Sequence, residues 1–339
     1  MWAVLGVFGM AAVVVAAAQP IGAQETARGT ADDKSWQAVA PALVEPRSGE
    51  IKIMAPVIGR ISEALVNAAD KVLAGEPLFR LDDEEARARV ATAQAQVALR
   101  KRARNDQAAG KAADRRKAED TVADAEAALV EARDAFDKAA IAKRAGSGSD
   151  ADLATARSAW TSAQERLTQQ RAQLRKLETE SGTPLPTQSE GQLNVARTEL
   201  RLAIVELEKL TIRAPIAGTV LQVKAKVGEL AAPSAPEPLI VLGDLSALRV
   251  RAELDERDIG EIKLGQQVVV RADAFRGHEF AGKVSAIAPI VQAGRINSPG
   301  SRNLTDFDVT EVLIDLADPG PLMVGMKVDV YFRPSGAAQ

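Results

Sequence analysis

Hydrophobic residues recur every seven positions in two long stretches in the middle of the chain. The first stretch carries Val122, Leu129 and Phe136, with a companion alanine series three residues on, Ala125, Ala132 and Ala139. The second carries Leu153, Trp160, Leu167 and Leu174, with Ala156, Ala163 and Leu177 in most of the companion positions. A seven-residue repeat of this kind is typical of coiled-coil helices, and small residues in the seam let the helices approach closely. The pattern therefore predicts two long helices that pack through these seams.

A short polar segment, Gly146-Ser147-Gly148-Ser149, separates the two helices. Ser149 and Asp152 have the spacing of a capping box at the start of the second helix. Two heptad helices joined by a tight turn pair antiparallel. With the turn near 147–148, paired residue numbers sum to about 295, which sets Phe136 against Trp160.

The helical region is longer than these two seams. Asp82 is a suitable N-cap for its first helix, because acidic residues follow it in the first turn. Helical sequence resumes near Glu190 and ends near Leu210. The helical sequence before the turn and the helical sequence after it are the two arms of a predicted hairpin. Both arms are interrupted at the same distance from the turn, by Gly110 in one and by Gly182-Thr183-Pro184-Leu185-Pro186 in the other. The interruption is either a hinge or a small side loop. Without the break, each arm of about 60 residues would give a hairpin about 90 Å long.

Short β-rich stretches flank the helices and repeat one pattern. The first copy is Ala55-Pro56-Val57-Ile58-Gly59-Arg60-Ile61 and the second is Ala214-Pro215-Ile216-Ala217-Gly218-Thr219-Val220. Each copy leads to a Pro-Leu pair, Pro77-Leu78 and Pro238-Leu239. Two copies separated by helices are not a solenoid repeat. They indicate one small β domain that is divided by a helical insertion.

The rest of the chain alternates apolar and polar residues over short stretches, as in Leu248, Val250, Ala252 and Leu254. Short alternating strands with glycine-rich turns predict a closed β-barrel. The predicted domains are an apolar N-terminal segment (1–24), a linker (25–43), a split β module (44–82 with 210–244), a helical hairpin (83–209), a barrel (245–333) and a tail (334–339).

The N-terminal segment is apolar from Trp2 to Ala18, and Glu25 is the first charged residue. Its length lies between that of a signal-peptide core and that of a bilayer-spanning helix. It is either an uncleaved membrane anchor or a cleaved signal peptide, and we favour the anchor. Either reading directs the remainder of the chain across a membrane.

Composition removes most enzyme chemistry from consideration. The chain of 339 residues has no cysteine, and its single histidine, His278, lies in an expected surface turn. No phosphate-binding glycine motif occurs, so we expect neither an enzyme nor a cofactor. The net charge of −3 argues against nucleic acid, and we interpret one basic run as a solvated helix face. That run consists of Arg100, Lys101, Arg102, Arg104, Lys111, Arg115, Arg116 and Lys117.

Several motifs in this order resemble the HlyD-type membrane fusion proteins, the periplasmic adaptors of bacterial export systems. They are the two copies above, then Leu210-Thr211-Ile212-Arg213, Leu248 to Gly260, Leu264-Gly265-Gln266 and Val324-Gly325-Met326-Lys327-Val328. The resemblance implies a mixed α and β, elongated multidomain fold. In that fold an antiparallel coiled-coil hairpin is inserted in a split lipoyl-like β-sandwich, also called a barrel-sandwich hybrid, and a β-barrel follows. No lysine occupies the position that carries the cofactor in true lipoyl domains, so no lipoate or biotin is expected.

The resemblance also implies partners. Such adaptors are anchored at the inner membrane, pack side by side into a ring, here expected to be a hexamer, and direct the hairpin turn at an outer-membrane channel of the TolC type. The turn residues expected to dock are Arg144, Gly146, Ser147, Gly148, Ser149, Asp150, Asp152 and Leu153.

The transporter class is open at this point. An ABC-type exporter is favoured because the chain ends soon after Phe332, and because the segment Asp255 to Gly260 looks like that of ABC-associated adaptors. An adaptor of a resistance–nodulation–division or major-facilitator pump is the alternative. Outside this class, a biotin or lipoyl carrier subunit and a purely structural coiled-coil envelope protein also stay open.

Overall fold

The computed structural model describes residues 36–107, 112–179, 185–294, 296 and 308–334. In chain order the elements before the helices are β1 (Ala38–Pro46), β2 (Ile51–Ile53), β3 (Gly59–Ala64), β4 (Lys71–Val72) and β5 (Pro77–Leu81). The helices are α1 (Glu84–Asn105), α2 (Ala113–Arg144), α3 (Asp150–Thr179) and α4 (Gln188–Lys209). The later strands are β6 (Thr211–Arg213), β7 (Gly218–Val223), β8 (Leu230–Ala231), β9 (Ile240–Gly243), β10 (Leu248–Asp255), β11 (Gln267–Arg271), β12 (Phe280–Ala293), β13 (Asp308–Leu316) and β14 (Lys327–Phe332).

The repeated pattern folds as two equivalent halves of one module. One sheet has the strand order β2-β9-β7-β4 and the other has β6-β5-β3-β8. Exchanging β2 with β6, β3 with β7, β4 with β8 and β5 with β9 converts one order into the other. Ala55 and Ala214, the first residues of the two copies, are both buried in the shared core. Each sheet thus draws strands from both halves, so the module is completed only after the helical insertion has returned.

The barrel is closed in the order β1-β10-β13-β12-β11-β14. Its first strand corrects the predicted linker over 25–43, because residues 38–46 pair with both β10 and β14. Alanine and proline are poor strand formers, which is why this segment looked like a linker. The alternating residues Ala38, Ala40, Ala42 and Val44 are nevertheless buried inside the barrel. Closure of the barrel, a long-range contact, therefore overrides the local preference.

The helices are inserted between β5 and β6 and form two antiparallel pairs. In the α2–α3 pair the rings of Phe136 and Trp160 stack with centroids 5.3 Å apart, as the seam predicted. In the α1–α4 pair Arg89 contacts Glu206, and Arg100 donates to Gln192. The predicted fold class, a helical hairpin within a split β module followed by a β-barrel, is confirmed. Asp83 occupies the N-cap position of the first helix without a capping hydrogen bond from its side chain, and the predicted Asp82 accepts a long hydrogen bond from the Glu84 amide, at 3.5 Å.

The two helix pairs lie side by side, which the sequence did not indicate. Helix α2 runs back along α1, so that Arg104 contacts Asp120 at 2.8 Å. Arg197 of α4 contacts the same carboxylate at 2.5 Å. Gly110 and Pro184, at the predicted break, lie outside the described residues. Because the chain reverses between α1 and α2, the turn after α2 returns to the split β module instead of lying about 90 Å away from it.

Candidate functional site

The turn between α2 and α3 has the local geometry that its sequence predicts. Gly146 adopts a positive φ of 77°, and the Gly148 amide donates to the Ala142 carbonyl at 3.0 Å. The Asp152 amide donates to the Ser149 hydroxyl, and the Ser149 amide donates back to the Asp152 carboxylate, both at 3.1 Å. Hydrogen bonds from the Ser149 hydroxyl and amide hold the pKa of Asp152 below its ordinary value. The predicted capping box is therefore present and fixes the start of α3.

The turn rests on the split module through one arginine. The Arg144 guanidinium donates to the Leu65 carbonyl at 2.7 Å and forms an ion pair with Glu76. It also lies 3.6 Å from the carboxylate of Asp70. Of the predicted docking residues, Arg144 and Leu153 face the module. The others point towards solvent or are half-buried in the turn, namely Gly146, Ser147, Gly148, Ser149, Asp150 and Asp152.

An apolar contact supports this arrangement. Leu73 of the module packs against a cluster that contains Phe136, Ala140 and Leu153. Gly75, at a φ of 83°, accepts the Trp160 ring so closely that a Cβ atom there would lie 2.7 Å from it. A glycine is needed at this position both for the backbone conformation and for the space. The module thus presents a shaped seat for the α2–α3 pair.

A second ion pair joins α2 to the module just beside this seat. The two guanidinium nitrogens of Arg213 on β6 donate to the two carboxylate oxygens of Asp137 at 2.6 and 2.8 Å. Arg213 also donates to the Gly75 carbonyl at 3.2 Å. Both side chains are mostly buried, at 12% and 10% exposure. A bidentate pair of this kind is geometrically specific, so it sets the register of α2 on the module.

At the far end of the helices lies a buried charged cluster. Glu190 of α4 binds Arg115 at 2.8 Å and also binds Arg116, and its side chain is fully buried. Burial alone would raise the pKa of Glu190, but the hydrogen bonds from Arg116 and Thr187 outweigh it and lower the pKa. The predicted solvated basic face is therefore wrong for Arg104, Arg115 and Arg116, which are all buried. Thr187 and Glu190 also form a capping box at the start of α4. Their spacing was a sequence signal from which this cap could have been predicted, whereas no local signal indicated that the arginines are buried.

Other candidate chemistry does not come together in the described parts of the chain. Within residues 36–107, 112–179, 185–294, 296 and 308–334, no group of three or more His, Asp or Glu side chains is placed to hold a metal ion. His278 is exposed in the turn between β11 and β12, as predicted. No helix among those residues is long and apolar enough to cross a membrane. The predicted N-terminal anchor, 1–24, lies outside the described residues.

Comparison with known proteins places these features in context. Residues 248–331 match the YknX-like beta-barrel domain. The chain is 31% identical over 303 residues to the multidrug resistance protein MdtN of Escherichia coli K12, covering 84% of this chain and 86% of that protein. It is 28% identical over 286 residues to a UPF0194 membrane protein of Yersinia enterocolitica, covering 81% and 84%.

A solved structure shares the fold. MacA from Actinobacillus actinomycetemcomitans aligns over 87% of this chain and 78% of its own, with a TM-score of 0.52 and 19% identity.

Proposed function

The chain belongs to the membrane fusion protein family, and from this membership we propose that it is a periplasmic adaptor linking an inner-membrane exporter to an outer-membrane channel. The observation that carries the proposal is the 31% identity to MdtN, which spans the split module, the helices and the barrel together. Membrane fusion proteins are adaptors, not enzymes. The function therefore lies in surfaces and in reach rather than in a reactive group.

The domain order supports this role physically. The barrel and the split module are compact β domains with separate cores, and the helices are inserted in the module between β5 and β6. The Asp255–Gly260 segment begins at the C-terminal end of β10, whose first residue, Leu248, comes soon after the module strand β9. In this segment the Arg257 amide donates to the Asp255 carboxylate at 3.0 Å. We assign the barrel end that carries this segment to the exporter side, and the helices to the channel side.

We also propose the class of the inner-membrane exporter that this chain serves. An ABC-type exporter is our first candidate, on the likeness of the Asp255–Gly260 segment, and a resistance–nodulation–division or major-facilitator pump is the alternative. MdtN is named a multidrug resistance protein, and on that basis we propose a drug as the cargo. We also propose anchoring by residues 1–24 at the inner membrane, assembly into a hexameric ring, and docking of the α2–α3 turn on a TolC-type channel.

Deletion genetics tests the adaptor role. Deleting this gene is expected to abolish export, and deleting it together with the gene for the partner exporter should add nothing, because an adaptor and its exporter act as one unit. Accumulation of a fluorescent dye or of the natural cargo in the single and double deletion strains measures this. Wild-type efflux in the single deletion, or a clearly additive double deletion, would refute the proposal.

A further inference from the structure

The contact between the two helix pairs is largely made of charged side chains. Ion pairs cross it along its whole height, from Arg115 and Arg116 with Glu190, through Arg197 with Asp120 and Arg201 with Glu126, to Arg133 with Glu208. The difference in residue number between the α2 partner and the α4 partner is nearly the same in every pair, so the two helices run in the same direction. Long charged side chains can bridge two helices that do not approach closely.

Apolar packing, in contrast, lies within the α2–α3 pair. A cluster of Val122, Ala125 and Leu167, with Leu129 and Leu174 against it, joins α2 to α3. Helix α1 buries only Arg104, and the buried apolar residues of α4 are Leu193 and Ala196. Burial of apolar area is the main favourable term in packing, and it holds α2 and α3 together. The contact with α1–α4 relies instead on ion pairs, which are buried at Glu190 and partly exposed at Glu126 and Glu208.

The same pair is held to the module at its turn by separate, specific contacts. These are Arg144 with Glu76 and the Leu65 carbonyl, Asp137 with Arg213, and Trp160 against Gly75. Two of the residues expected to dock on a channel, Arg144 and Leu153, are occupied by these contacts. A channel and the module would therefore compete for one surface.

We propose that the α2–α3 pair is an arm latched onto the β module, an autoinhibitory contact that hides part of the docking turn until the arm swings out. The latch is the Asp137–Arg213 pair together with Arg144 on Glu76. Release breaks charged contacts and leaves the α2–α3 seam intact, so that the arm moves as one body. The inference rests on the proposed docking of the turn, and its test is independent of export.

Distance measurement between two spin labels tests the latch. Because the natural chain has no cysteine, Ser147→Cys with Ala68→Cys places labels only on the exposed turn and on the module. The latched arm gives a short distance by pulsed electron resonance, whereas a fully extended hairpin would separate the labels by about 90 Å. In this labelled background, Asp137→Arg or Arg213→Asp should raise the ratio of open to latched arm roughly tenfold or more, because each leaves like charges opposed.

Two control variants make the outcome specific. The combined exchange Asp137→Arg with Arg213→Asp should restore the short distance. Asp124→Arg, the same charge change at an exposed position on α2, should leave the distance distribution unchanged. Three results would each overturn the proposal. They are a wild-type arm without a short-distance population, unchanged distances in both single variants, and equal opening by Asp124→Arg.

Folding and export are read separately. If circular dichroism shows that a single variant has lost helix, the unchanged sequence is examined between 0.1 and 1 M salt, where the Debye length falls from about 10 to 3 Å. The short-distance population should then decrease, and a constant population counts against the latch. If variants of the turn export normally and the short distance is unchanged, docking through the turn is refuted but the latch is not.

Discussion

Replacing Glu190 by glutamine should lower the free energy of unfolding of the helical region by about 3–5 kcal/mol. Its carboxylate is fully buried and binds two buried arginines, Arg115 and Arg116, so the variant removes a counter-charge that both share, while Glu119 stays 3.4 Å from Arg115. Glutamine preserves the volume and the Thr187 capping box, because that motif accepts Glu or Gln. The loss therefore reports the charge itself. Urea unfolding followed by circular dichroism at 222 nm measures it.

Glu206→Gln is the matched control on the same helix. Glu206 forms an exposed pair with Arg89, with side chains 55% and 58% exposed, so its removal should cost less than about 1 kcal/mol. Equal effects of the two substitutions would contradict the assignment of Glu190 to a buried charged cluster.

The pH dependence of the free energy of unfolding is a second test of the contribution of Glu190 to stability. Because its pKa is lowered in the folded protein, its contribution is present above the unfolded-state value of about 4.3 and is lost as the pH falls through the folded value. The unchanged protein should therefore lose stability below about pH 4 more steeply than the Glu190→Gln variant. Parallel pH curves would show that Glu190 contributes no linked proton.

Placing an arginine at Ser147 should reduce export to the level of the deletion strain while leaving the free energy of unfolding within about 0.5 kcal/mol of the original. Ser147 is exposed at the turn, and its hydroxyl donates to the Ala142 carbonyl at 3.1 Å. A long cation there obstructs a close-fitting docking surface without disturbing the Ser149–Asp152 cap. Dye efflux and thermal unfolding of the same variant measure the two effects.

Ser162→Arg supplies the control, since it makes the same change at an exposed position of α3 away from the turn. It should export normally. Gly148→Pro is a poorer probe, because it would remove the hydrogen bond from the Gly148 amide to Ala142 and force the ring towards the Lys143 backbone. Normal export by Ser147→Arg would refute docking through this turn.

The parts of the fold that were predictable rest on local or periodic signals. The seven-residue series led to the stacking of Phe136 on Trp160, and the serine spacing led to the Ser149–Asp152 cap. The repeated Ala-Pro pattern identified a split module. Each of these depends on residues close in sequence, or on a repeat that can be counted.

The parts that were missed depend on contacts between distant residues. Strand β1 forms because the barrel needs a sixth strand to close, although alanine and Pro41 disfavour a strand locally. The reversal of α2 onto α1 sets Asp137 beside Arg213 and buries Arg104 and Arg116, and no local pattern announces such pairings. Charged residues on a helix are usually solvated, so only the long-range arrangement of the helices distinguishes these buried arginines from solvated ones.

The most direct test of the adaptor assignment is to identify what the protein touches in the cell. Cells that express an affinity-tagged chain are treated with a membrane-permeable crosslinker, and the purified complexes are identified by mass spectrometry. The account predicts that an inner-membrane exporter and an outer-membrane channel are both recovered, and that an untagged strain yields neither. Recovery of neither protein, or of only one of them at every crosslinker concentration, would contradict a bridging role.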